Sequence, residues 1–197
     1  MIFRMIVLAV TVTSLALMPV RAEEATHARF QTSMGDVIVE LYSEQSPLTV
    51  ANFVEYARSG SYDRTIIHRV VEGFVVQGGG YSEYFNERPL RDPVPNESAN
   101  GLPNVRGAIA MARDTHPDSA QAQWYFNLRD NSKLNYREND LGKFPGYTVF
   151  GHVIDGMDVV DAMGAVETGA GGPFDEEVPL EPILVLRVDP LSAWPAE

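Results

Sequence analysis

Cysteine is absent from this chain, which removes several chemistries at once. No disulfide can brace the fold, no thiolate can act as a nucleophile, and no thiolate metal site can form. Histidine is scarce: His27, His68, His116 and His152 lie in unrelated contexts. Neither a close His pair for a metal nor a base beside a serine is visible, and the G-x-S-x-G elbow does not occur. Positive charge is in short supply too, with 15 Lys and Arg against 27 Asp and Glu. Repeats, heptads and low-complexity runs are missing. What remains is a β-rich chain that must hold itself together by packing alone.

The one long apolar run sits at the start. Arg4 gives a short positive beginning, Met5 to Met18 is almost continuously apolar, and Val20-Arg21-Ala22 fits the small-residue rule before a cleavage point. This reads as a secretory signal peptide, residues 1–22, removed after Ala22. The competing reading is a retained membrane anchor. The run is shorter than the ~20 residues a spanning helix needs, and Thr11, Thr13 and Ser14 dilute it. Because residues 1–22 carry two arginines and no acid, residues 23–197 hold 13 basic and 27 acidic side chains, a net charge of −14. Such a surface repels phosphate backbones and anionic lipid, so nucleic acid is not expected as a partner.

Residues 23–197 show no linker and read as one domain. Strands are expected near Ala28–Ser33, Asp36–Tyr42, Thr65–Val71, Phe74–Gln77, Arg106–Arg113, Ala122–Leu128, Tyr147–Ile154 and Pro182–Asp189, with a tight hairpin at Met34-Gly35. A helix should open with Ser46 as cap and Pro47 at its first position and end at Gly60, burying Val50, Phe53, Val54 and Ala57. A second should run from about Met157 to Met163, with Val159, Val160 and Met163 inward. The fold class is therefore mainly β: eight short strands suggest a closed antiparallel β-barrel, which leaves no unpaired edge, capped by two α-helices. Residues 78–105 and 135–146 read as long loops at the rim of a groove.

Two segments carry the chemistry. Ile67-His68-Arg69-Val70-Val71 and Phe74-Val75-Val76-Gln77-Gly78-Gly79-Gly80 put one guanidinium and one amide into apolar, β-branched strand sequence. Gln123-Trp124-Tyr125-Phe126-Asn127 repeats the pattern. Period-two alternation places Gln123 with Tyr125, Val75 with Gln77, and Ile67 with Arg69 and Val71. The glycine triplet lacks a following Gly-Lys-Ser/Thr and reads as a turn at a strand end. For Arg69, composition leaves two readings open: an arginine snorkelling on the surface or paired with an acid such as Glu72, or a donor aimed into a cleft. Phe74, Tyr125 and Leu134 can equally be core packing, and His68 reads as a satisfied core residue facing away from Arg69.

These segments resemble the signature of the cyclophilin-type peptidyl-prolyl cis-trans isomerases. His68-Arg69-Val70 with Gly73-Phe74 and Gln77-Gly78-Gly79 carry the likeness, extended by Arg106 to Ala112, the Gln123 segment, Val149-Phe150-Gly151 and Gly156 to Val160. It covers nearly all of residues 28–189 and is most similar to bacterial periplasmic cyclophilins. The resemblance implies rotation about X-Pro bonds in exported proteins, assisting their folding. Implied partners are proline-containing, unfolded or partly folded polypeptides, and no cofactor or metal is called for. It further implies a periplasmic monomer with no stable membrane insertion after processing.

Position by position, the resemblance makes Arg69 the catalytic arginine and Gln77 the holder of the substrate backbone. Gln123 becomes the second glutamine, while Phe74, Val75, Tyr125 and Leu134 form the proline pocket. Ala112 and Arg113 fall on the backbone-binding strand. The departures are Tyr125 for phenylalanine, Val75 for methionine, Tyr147 for a histidine of many eukaryotic members, and Lys133 for a tryptophan that contacts cyclosporin. The last implies weak cyclosporin binding. Two rival classes stay open on residues alone: a proline-peptide binding module that turns over poorly, and a small-molecule carrier using the barrel interior.

Overall fold

A computed structural model describes residues 25–194; the expected signal peptide, residues 1–22, lies outside them. In chain order the strands are β1 (His27–Thr32), β2 (Gly35–Leu41), β3 (Thr65–Val71), β4 (Val75–Ser82), β5 (Ala108–Met111) and β6 (Trp124–Asn127). They continue with β7 (Arg137–Asn139), β8 (Gly142–Phe144), β9 (Val149–Asp155), β10 (Thr168–Gly171), β11 (Phe174–Pro179) and β12 (Leu184–Leu191). The helices are α1 (Pro47–Arg58) and α2 (Met157–Gly164). Eight strands close a barrel in the order β1-β12-β3-β4-β6-β5-β9-β2, every neighbouring pair antiparallel. The expected fold class is the one observed.

Alternation sorts the side chains. Phe30, Ile67, Val70, Val76, Ile109, Met111, Trp124, Phe126 and Phe150 form the interior cluster, with Phe30 set edge-on to Trp124 at 4.9 Å between ring centroids. Phe53 of α1 and Met163 of α2 join that cluster, so both helices are held by the barrel's own core. These tightly packed rings and branched side chains count against the carrier reading. Gly35 matters here for two reasons: its φ of +133° makes the β1–β2 turn, and a Cβ there would lie 2.9 Å from Val159 Cγ2 of α2.

Four details differ from the sequence reading. Ser46 stands at the start of α1 but does not cap it; its hydroxyl donates to Val149 O at 2.7 Å. The capping acceptor is Glu97, distant in sequence, which takes hydrogen bonds from Leu48 N (3.1 Å), Thr49 N (2.8 Å) and Thr49 Oγ1 (2.7 Å). A carboxylate there also suits the positive end of the helix dipole. Gly78-Gly79-Gly80 is not a terminal turn, since β4 runs through it to Ser82. Side chains would collide with the neighbouring strand: a Cβ at Gly78 would meet Trp124 at 3.1 Å, and one at Gly80 would meet the Gln123 side chain at 2.7 Å.

The third difference is the register of β3. Ile67 pairs with Gly78 and Arg69 with Gln77, so His68 is an extra residue, a β-bulge. The bulge breaks the alternation that would put Ile67 and Arg69 on one face. Ile67 turns into the core while Arg69 and Val71 turn outward. Two hairpins outside the barrel were not expected, β7–β8 within the 135–146 loop and β10–β11 after α2. Among the described residues no helix is long and apolar enough to cross a membrane.

Candidate active site

The barrel's order and register assemble a site on its outer wall. Arg69 pairs with Gln77 across β3–β4, Gln77 with Tyr125 across β4–β6, Tyr125 with Ala110 across β6–β5, and Ala110 with Val149 across β5–β9. Cross-strand partners share a face, so one row runs from a guanidinium through an amide and a phenol to small and branched apolar residues. Around it Val75, Ala108, Ala110, Tyr125 and Val149 form a second apolar cluster, with Phe74, Leu102, Val105, Leu134 and Tyr147 packed against it.

A hollow of about 220 Å³ opens over this cluster, lined by Arg69, Phe74, Val75, Gln77, Ala112, Arg113, Tyr125, Leu134 and Tyr147. Nine of the ten residues assigned from the sequence thus share one cleft. Gln123, the tenth, lies beside it and accepts from Gln77 Nε2 at 2.9 Å. It lines an adjoining hollow of about 280 Å³ that also shares Gln77, Ala112 and Arg113 and is rimmed by Glu87, Leu90 and Asp114. Of the loop read as 78–105, Glu87 and Leu90 therefore reach the rim. Its later part folds beneath the cleft instead.

Each wall is fixed by identifiable bonds. The Tyr125 hydroxyl, buried with its ring, donates to Asn104 Oδ1 at 2.8 Å. Burial pushes its pKa well above the ordinary phenol value, so it stays a donor. Asn104 also donates through Nδ2 to the Leu134 and Tyr147 carbonyls, so one buried amide ties three parts of the pocket together. This hub was not legible in sequence, because Asn104 sits in a Pro- and Asn-rich stretch without pattern. Arg113 does not offer a free guanidinium to the cleft. It donates to the Gly146, Asp114, Thr115 and Pro145 carbonyls and lies 4.7 Å over the Tyr147 ring. Ala112 N donates to Gln123 O at 2.9 Å. Tyr147 stands edge-on to Tyr125 at 5.9 Å.

Arg69 is about one-third exposed and does pair with an acid, but the acid is Glu177 of β11, with Nε donating to Oε2 at 2.7 Å. Its Nη1 makes a long contact of 3.4 Å with Gln77 Oε1, and its Nη2 hydrogen-bonds to nothing among the described residues. Glu177, like Asn104, is a residue at the site that sequence reasoning missed. It follows Asp175 and Glu176, and nothing in that acidic run sets it apart.

His68 is buried, as expected of a core residue, but it is not fully satisfied. The bulge sends it against Tyr81 (4.9 Å between centroids) and Phe174 of β11 (5.7 Å, stacked). Its Nδ1 has no hydrogen-bond partner. Burial lowers its pKa to about 4, outweighing its interactions with Gln123 and the Ile66 backbone. The imidazole is neutral at pH 7 and belongs to an aromatic cluster under the β10–β11 hairpin. Among the described residues no group of three or more His, Asp or Glu side chains could hold a metal ion.

A charged donor beside a small hollow walled by Phe74, Val75, Tyr125 and Leu134, with no Ser, Thr, His or carboxylate among its lining residues, suits the twisting of a bond. The comparisons agree. The family described as cyclophilin type peptidyl-prolyl cis-trans isomerase/CLD matches residues 27–189. Peptidyl-prolyl cis-trans isomerase B of Escherichia coli is 43% identical over 159 residues, 81% of this chain and 96% of that protein. Peptidyl-prolyl cis-trans isomerase A of Dickeya dadantii is 42% identical over 184 residues, covering 92% and 94%. Among solved structures, a Cryptosporidium parvum cyclophilin type isomerase determined in the presence of the dipeptide Ala-Pro superposes with a TM-score of 0.64. It is 25% identical over 82% of this chain and 96% of that one. The chain belongs to the cyclophilin family. It is a peptidyl-prolyl cis-trans isomerase.

Proposed function

We propose that this isomerase works on exported proteins in the periplasm, as a monomer freed from residues 1–22, and that Arg69 is its catalytic residue. The observation that carries the chemical assignment is the single cleft shared by Arg69, Gln77 and the Phe74–Tyr125–Leu134 pocket. Export rests on the composition of the first 22 residues and on a family match that begins after them, at residue 27.

The imide bond resists rotation by ~18–20 kcal/mol because nitrogen shares its lone pair with the carbonyl. X-Pro isomers differ by only about 0.5–1 kcal/mol yet exchange in tens to hundreds of seconds. At the twisted transition state conjugation is lost and the nitrogen lone pair becomes a hydrogen-bond acceptor. Arg69 donates to that lone pair through its Nη groups. The planar ground state offers no such acceptor, so the interaction favours the transition state over the substrate. Phe74, Val75, Tyr125 and Leu134 hold the ring, while Gln77 and the chain at Ala112 hold the residue before it. Rotation then occurs between two fixed ends. Packing of the substrate carbonyl against the apolar pocket wall would also weaken the charge separation on which conjugation depends. No bond breaks, and no cofactor enters the scheme.

The test is in two arms. The purified protein should accelerate isomerisation of a short X-Pro peptide in an exchange-NMR assay; absence of acceleration refutes the enzymatic assignment. Expressed in a bacterial host with a double membrane, it should be recovered from the periplasm with the mass of residues 23–197. Recovery of the uncleaved chain from cytoplasm or membrane refutes the export reading.

A further inference from the structure

We infer that Glu177 is a positioning residue for the isomerisation: its carboxylate holds the Arg69 guanidinium by Nε so that the Nη groups face the cleft. This rests on the assignment of Arg69 above. Two anchors act on different edges of one planar group, Glu177 Oε2 on Nε at 2.7 Å and Gln77 Oε1 on Nη1 at 3.4 Å. An arginine held at one edge can still swing. Held at two, its plane is set, and a donor aimed before the substrate arrives loses less freedom on reaching the transition state.

The backbone of β11 shows that this placement is specific. Glu177 has φ of +66°, a left-handed conformation that non-glycine residues rarely adopt and that glutamate, unlike asparagine, does not favour. Its neighbours Val178 and Pro179 are buried. Local strain kept beside a reacting group, where a more permissive residue would relieve it, marks a side chain retained for what it contacts. The hairpin does not need the ion pair to stay docked. Phe174 stacks on His68 at 5.7 Å and meets Tyr81 edge-on at 5.1 Å, fastening β11 to β3 and β4 through apolar contact. A one-third exposed ion pair contributes little to stability in any case.

Stability and activity should therefore move separately. Glu177→Asn relieves the left-handed backbone, yet its shorter side chain falls short of Nε. It is expected to keep or raise the melting temperature while kcat drops about tenfold, the effect of losing one charge-assisted bond's worth of alignment, with KM within about twofold. Glu177→Gln, whose amide oxygen can still accept from Nε, should recover most of that loss. The assay is kcat and KM for one X-Pro peptide with thermal unfolding of the same preparations, and Arg69→Ala beside them. Full kcat in Glu177→Asn, with Arg69→Ala impaired, overturns the proposal alone. Full kcat in Arg69→Ala overturns the assignment beneath it. Equal losses in both Glu177 variants, or a kcat that falls together with the melting temperature, reduce Glu177 to a structural role and refute the inference.

Discussion

Lowering the pH from 7 to 5 should destabilise this protein through His68 by an amount the structure lets one work out. The buried imidazole has a folded pKa of about 4, against about 6.5 in an unfolded chain. Above pH 6.5 neither state holds the proton and the group is silent. As the pH falls through 6.5 the unfolded chain takes up a proton that the folded one refuses. Stability is lost until about pH 4, where both states are protonated and the loss levels off. Between pH 7 and 5 that linkage amounts to about 2 kcal/mol, an order-of-magnitude figure. His68→Phe keeps a ring to pack on Phe174 and Tyr81 and has nothing to titrate. Urea unfolding of both proteins at pH 7 and pH 5 isolates the difference, because carboxylates elsewhere titrate alike in each. The wild type should lose about 2 kcal/mol more than the variant over that interval. Parallel losses would mean that His68 is hydrated or protonated in the fold, contrary to its burial.

Tyr125→Phe keeps the pocket ring and removes only the hydroxyl bonded to Asn104. It should cost about 1 kcal/mol in urea unfolding with KM little changed, and an unaltered midpoint would show that the bond contributes nothing. Glu97→Ala strips three hydrogen bonds from the first turn of α1 and should cost about 1–2 kcal/mol by the same measurement, in line with loss of a helix cap. Cyclosporin should inhibit weakly, since exposed Lys133 stands beside the pocket wall at Leu134 where the drug-binding relatives carry tryptophan. Potent inhibition in a titration against isomerase activity would refute that reasoning.

The barrel was legible in the sequence because its strands alternate so regularly. Trp124 and Phe126 against Gln123 and Tyr125, or Val76 against Val75 and Gln77, declare an inside and an outside before any coordinates are seen. The cleft was legible to the extent that its members lie on those strands or match the family motif. What escaped was made by contacts between distant segments. Glu97 caps a helix that starts 50 residues earlier, and no local pattern around Ser46 or Glu97 announces the pairing. The bulge at His68 shifts the face of every later β3 residue, yet a bulge leaves no mark in the residue types. Gly78 to Gly80 look like turn residues and are strand residues, glycine because Trp124 and Gln123 occupy the space a side chain would need. Glu177 reaches Arg69 from 108 residues away, through a hairpin whose Thr-Gly-Ala-Gly-Gly sequence has no strand character.

In the proposed mechanism Arg69 hydrogen-bonds to the imide nitrogen only while the bond is twisted. Removing the guanidinium should then slow turnover and leave binding of the planar peptide almost untouched. The decisive measurement is the exchange rate of one X-Pro peptide on Arg69→Ala, by NMR at saturation, together with the dissociation constant from the same titration. A fall of about 10- to 150-fold in rate, equivalent to about 1.5–3 kcal/mol, with affinity within a few-fold of wild type, is the predicted result. Near-normal exchange, or a loss confined to affinity, would contradict it.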